Sequence, residues 1–136
     1  NLFLIQQRTK GLVELATNMS GEYADKTCCV LGAGSRLVRS DKPLLASLVR
    51  AILEASDFVA ENPKETAKIF EAYAVKVTPE QVRTMLSTMD HKVHPTGLAL
   101  RRQVEFYAND FKLVGVLKPT TNAARFAEHV TVDVLS

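Results

Sequence analysis

The sequence predicts an α/β chain that is rich in helix and keeps its strands mainly in the first third. Three observations predict it. Asn1–Gln7 and Thr27–Leu31 are short runs dense in apolar and β-forming residues. From Ser40 onward, apolar residues recur at the i, i+3, i+4 spacing of amphipathic helices. The breaks between those stretches carry helix-start chemistry, with Pro63 behind Asn62 and Pro79 behind Thr78.

In chain order, Asn1–Gln7 reads as a buried strand built on Leu2-Phe3-Leu4-Ile5. That run is too short for a signal peptide and no basic flank precedes it. A strand at the first residue implies natural sequence ahead of it, so a fragment or a processed chain is expected. Lys10–Asn18, with Leu12, Val13, Leu15 and Ala16, reads as a short helix, and Met19–Tyr23 as a turn. Thr27–Leu31 is the second strand, broken by Gly32-Ala33-Gly34-Ser35 and continued by Arg36–Arg39 as a further short strand. Two strands alone are marginal in water, so the sheet requires more sequence or a second copy.

Asp41-Lys42-Pro43 opens a long helix with a stripe of Leu45, Leu48, Val49, Ile52, Leu53, Phe58 and Val59. Asn62, Pro63 and Glu65 end it and start the next helix, which carries Ala67, Phe70 and Ala74 inward. Burial is expected at Leu48, Ile52 and Phe70. Thr78, Pro79 and Gln81 form a capping box ahead of Val82, Met85 and Leu86. Asp90–Pro95 is a loop. Thr96 caps a helix running to about Val114, with a stripe of Leu100, Val104, Tyr107, Ala108 and Phe111, and Gly115 stands where a C-terminal glycine belongs. Thr121 or Asn122 caps a last helix holding Phe126, Ala127 and Val130.

Composition narrows the function classes. The chain has 136 residues, 46% hydrophobic and 24% charged, enough for one domain with an ordinary core. A net charge of +2 with no block of Lys or Arg gives no electrostatic footprint for nucleic acid or a membrane surface. Trp is absent and aromatics are 7%, which argues against a base-stacking platform.

Motifs are sparse. Gly32-Ala33-Gly34 lacks the third glycine of a dinucleotide fingerprint, since Leu37 stands there, and no Walker Lys follows. A strand break or hinge is the plainer reading. His91 and His94 with Asp90 offer too few ligands for zinc, and His94 is also placed to pack against or cap the Thr96 helix. Cys28 and Cys29 are the two cysteines. Adjacent residues of a strand point to opposite faces, and a disulfide between them closes a strained ring. They read either as two small buried residues or as a redox or ligand-contacting pair. No nucleophile with its base stands out, so neither catalytic residues, metal ligands nor a cofactor are expected.

Several segments, taken in order, resemble the C-terminal part of a bacterial ABC-transporter substrate-binding protein of the nitrate, sulfonate and taurine type. They are Ser20–Val30, the Leu44–Ala60 helix with Glu61-Asn62-Pro63 behind it, His94-Pro95-Thr96-Gly97, Val114–Pro119 and Arg125-Phe126-Ala127. The resemblance implies part of a two-lobe, periplasmic-binding-protein-like α/β fold. Residues 1–39 would end the second lobe and cross the hinge, and residues 40–136 would be helices that pack on the first lobe. It implies a small polar or anionic solute bound between lobes and delivered to a membrane permease. It also implies a periplasmic or otherwise extracytoplasmic location, free or lipid-anchored, with no nucleic acid partner.

Within this picture the ligand-facing candidates are Gln6, Gln7 and Arg8 at a strand end, with Cys28 and Gly32 on the crossover. The first three fit a solvent-facing strand end equally well, and no family binding motif maps onto the chain. Without the sheet they cover, the helices expose an apolar face, and homo-oligomers are expected. Two other readings stay open. One is a helical protein-interaction module. The other is an enzyme of the pyrimidine-biosynthesis type on the same fold.

Overall fold

The computed structural model describes residues 9–13, 15, 16, 20–74, 77–87 and 93–136. After a short 3-10 turn at Gly21–Tyr23 come six α-helices: α1 Ser35–Ser40, α2 Lys42–Glu61, α3 Pro63–Glu71, α4 Pro79–Leu86, α5 Gly97–Leu113 and α6 Ala123–Val130. Among the described residues there is no strand. The α/β expectation is therefore overturned, and the two-lobe fold with it.

The corrections have local causes. Thr27–Leu31 is irregular, with Val30 and Leu31 exposed. A strand exists only through a neighbour, and the Thr27 N–H bonds to the Gln103 side chain instead of a strand carbonyl, at 2.6 Å. The expected partner, Asn1–Gln7, lies outside the described residues. Arg36–Arg39 belongs to α1 rather than to a strand. Gly34 holds the extended N-cap geometry there, and Val38 N–H donates to its carbonyl at 3.1 Å. The helix expected at Lys10–Asn18 is not formed by its described residues: Leu12, Val13, Leu15 and Ala16 are irregular and exposed.

Helix starts follow local chemistry more closely. Asp41 Oδ1 accepts Leu44 N–H at 3.0 Å and opens α2. At the α2–α3 junction Asn62 is the N-cap and Pro63 the first helical residue. The Asn62 side chain makes no capping bond, however. Its Nδ2 turns back to the Phe58 carbonyl, at 3.1 Å, and so serves the end of α2. The Thr78–Gln81 capping box of α4 is complete in both directions, at 3.0 and 3.3 Å. Thr96 precedes α5 without a side-chain cap, whereas Asn122 Oδ1 accepts Arg125 N–H at 3.0 Å to cap α6. Gly115, with φ +77°, ends α5 in the left-handed region that glycine adopts without strain.

The chain forms two compact units. The first includes Ala51–Val93, where α3 packs on α4 around Ala67 and Val82. The second comprises Glu22–Arg50 and His94–Ser136, where α5 packs on α6 around Ala108, Ala123 and Ala127. Helix α2 contributes Leu45 and Ala46 to the buried set through its first turns. The expected stripe is only partly covered. Leu45 is 3% exposed, but Leu48 is 47%, Ile52 44%, Phe58 42% and Phe70 41%. The expectation that Leu48, Ile52 and Phe70 are buried is thus corrected: helical periodicity marks an apolar face without saying what covers it.

Candidate functional site

Helix α5 carries Gln103, Phe106, Tyr107 and Asp110 at i, i+3, i+4 and i+7, one continuous face. The segment from Tyr23 to Thr27 lies against it. Tyr23 donates its hydroxyl to Asp110 Oδ2 at 2.9 Å. Gln103 works in both directions, donating Nε2 to the Asp25 carbonyl at 3.2 Å and accepting the Thr27 N–H on Oε1. Tyr23 meets Phe106 edge-on at 5.7 Å and stacks on Tyr107 at 6.3 Å. Lys26 Nζ sits 4.9 Å from the Phe106 ring centre, a cation–π contact. The sequence reading named Tyr107 only as part of an apolar stripe and missed the other three. The signal was available in the i, i+3, i+4, i+7 spacing of a polar amide, two aromatics and a carboxylate.

The electrostatics follow from this packing. The Tyr23 hydroxyl is held above the ordinary phenol range, first by its hydrogen bond to Asp110, then by partial desolvation and the Asp110 charge. Tyr107 is pushed up by burial first and then by the neighbouring Cys28 and Asp110. Both phenols therefore stay neutral at physiological pH. They serve here as packing and hydrogen-bonding groups.

Of the expected ligand-facing residues, Gln6, Gln7 and Arg8 lie outside the described residues. Cys28 and Gly32 are exposed on the irregular segment that follows Thr27. A Cβ at Gly32 would meet no atom within 4 Å, so no close approach demands glycine there. The Cys28 and Cys29 sulfurs are 3.6 Å apart, and Thr27 Oγ1 donates to the Cys29 carbonyl at 2.7 Å. Asp90 and His91 lie outside the described residues, while His94 is half-buried with Nε2 unpartnered. Among the described residues no three His, Cys, Asp or Glu side chains gather as a metal set.

The first unit carries a separate open groove of about 380 Å³, lined by Lys64, Ala67, Lys68, Pro79, Glu80 and Arg83. Its charges are largely matched within each helix. Arg83 donates to Glu80, whose carboxyl is thereby held below the usual carboxylate range, and Lys68 lies 3.9 Å from Glu65. These are exposed i, i+3 pairs that stabilise a helix surface only slightly.

No family model matches this chain, and neither a curated protein nor a solved structure does.

Proposed function

We propose that this chain is part of the solute-binding component of an ABC importer, and that it works by binding rather than by catalysis. The reading is supported by the ordered resemblance of Ser20–Val30, the α2 helix with Glu61-Asn62-Pro63, His94–Gly97, Val114–Pro119 and Arg125–Ala127. One observation carries it on the structural side. Leu48 and Ile52 in α2 and Phe70 in α3 sit on amphipathic helices yet stay exposed, as suits helices that cover another protein surface. The solute is small and polar or anionic. It is held jointly by groups of this chain, Cys28 and Gly32 among the candidates, and by groups supplied from elsewhere. The component works outside the cytoplasm and hands its solute to a membrane permease. The reading retains the helical architecture and does not invoke the α/β fold excluded above.

The test is calorimetry with nitrate, taurine, an alkanesulfonate, bicarbonate and a pyrimidine. The complete natural gene product and the 136-residue chain are titrated separately. Micromolar heats for one solute with the gene product, and none with the chain, support the proposal. Silence from the gene product against every solute overturns it. The same exposed residues favour a second reading, a helical module that binds a protein. That reading gains if the solutes are silent while Leu48→Gln abolishes a stoichiometric protein complex.

A further inference from the structure

Cys28 and Cys29 are both exposed free thiols, and Cys28 Sγ donates to Cys29 Sγ across 3.6 Å. The pair is tethered. Thr27 holds the Cys29 carbonyl with its hydroxyl and anchors its own N–H on Gln103 of α5. Two thiols in contact, accessible and held beside a helix form a bidentate sulfur site. This feature goes beyond the solute-binding reading and does not depend on it. We propose that Cys28 and Cys29 are a reversible dithiol site, which closes into a disulfide between adjacent residues by exchange with small-molecule disulfides and which chelates trivalent arsenicals.

The exchange is balanced in two steps. The Cys28 thiolate attacks a disulfide RSSR, forming a Cys28–S–S–R bond and releasing RS⁻. Cys29 then attacks Cys28 Sγ, its S–S bond to Cys28 forms, and the second RS⁻ leaves. The two cysteine protons end on the two departing thiolates, so two Cys–SH and one RSSR give one internal disulfide and two RSH. The shared hydrogen bond and the Cys28 charge push the Cys29 thiol up. The small ring is strained, which makes it easy to reopen with excess thiol. With an arsenoxide R–As=O, two S–H bonds break and two As–S bonds form. The oxygen leaves as water, and no electrons change hands.

The test incubates the chain in glutathione buffers of increasing oxidised fraction, with acid quenching, thiol counting and intact mass. The expected product is a monomer that has lost two hydrogens and carries no glutathione, and that returns to two thiols in excess reduced glutathione. Cys28→Ser and Cys29→Ser should each stop at a single glutathione adduct and lose retention on a phenylarsine oxide resin. A wild-type chain that ends as glutathione adducts or as a disulfide-linked dimer overturns the proposal. So does one that stays unreacted where the serine variants are modified, or arsenical retention that survives either substitution.

Discussion

Gly97 shows how one residue can be required for two reasons at once. Its φ is +52°, and a Cβ built there would stand 2.7 Å from Asp133 Oδ2. Asp133 cannot swing away freely, because its Oδ1 accepts the N–H groups of Leu135 and Ser136 at 3.0 and 3.3 Å. The left-handed backbone alone costs an L-residue about 1–2 kcal/mol. Gly97→Ala should lose that and the Asp133 turn as well. Gly115→Ala, at φ +77° with open space around it, should lose the backbone contribution only. Urea unfolding of the two variants checks the order, and equal losses would mean that Asp133 yields without cost. Gly115 was legible in the sequence because a helix end is local. Gly97 was not, because its constraint arrives from the far end of the chain. Tyr23 gives a second residue-scale prediction. Its folded pKa is raised, so the neutral phenol is the form the fold favours. That contribution is complete below the ordinary phenol pKa and is lost as pH rises through the folded value. Asp110→Asn removes the charge but keeps an acceptor oxygen. It should move the Tyr23 step of a tyrosinate absorbance titration down toward the ordinary range, with Tyr23→Phe identifying that step. A step that stays in place would rule out Asp110 as the main cause.

At the scale of elements, the starts of α2 to α6 are legible in the sequence, whereas α1 and the helix faces are not. Pro63, Pro79 and Asn122 declare helix starts through contacts within three residues, so the sequence around each is sufficient. Whether a cap bond forms already depends on competition: the Asn62 amide prefers the Phe58 carbonyl behind it to the helix ahead. This yields a contrast between two threonines in the same nominal position. Thr78 accepts Gln81 N–H and completes a reciprocal box, so Thr78→Ala should cost about 1 kcal/mol. Thr96 makes no side-chain cap, so Thr96→Ala should stay within about 0.5 kcal/mol of the parent. The faces present the opposite case. Leu45, Leu48 and Ile52 share one stripe by periodicity, yet only Leu45 is buried. Leu45→Ala should cost about 2–5 kcal/mol if the space cannot collapse. In the monomer, at concentrations below those of self-association, Leu48→Ala and Ile52→Ala should cost no more than about 0.5 kcal/mol. Denaturant midpoints of the three variants, measured on the monomer, decide the matter, and comparable losses at all three positions would show that the chain itself covers α2 over Leu48 and Ile52. The missing strands and the unread α5 face share one cause. Thr27 finds Gln103 only through tertiary packing, which periodicity within either segment does not encode.

For the molecule as a whole, the composition of the core sets its behaviour. Among the described residues the buried hydrophobics are Leu45, Val82 and five alanines: Ala46, Ala67, Ala108, Ala123 and Ala127. An alanine removes one methyl from water, worth about 0.8 kcal/mol, whereas a fully buried Leu or Phe contributes about 1.5–3 kcal/mol. Small buried side chains let α3 approach α4 and α5 approach α6, but they contribute little against the entropy of ordering the chain. Several larger apolar side chains of these helices, Leu48, Ile52, Phe58, Phe70 and Phe111, are more than two-fifths exposed. A chain whose alanines are inside and whose leucines and phenylalanines are partly outside gains by covering the latter. With no other protein present, a second copy is the cover at hand. Self-association at micromolar concentration is therefore expected, and multi-angle light scattering should report a mass above that of the monomer. Leu48→Gln with Ile52→Gln should shift the chain toward monomer without lowering its helix content, because neither side chain is buried within its own unit. Purely monomeric scattering from the parent chain would remove the argument. An oligomer unchanged by the double substitution would move the contact away from α2 to the exposed faces of α3 or α5.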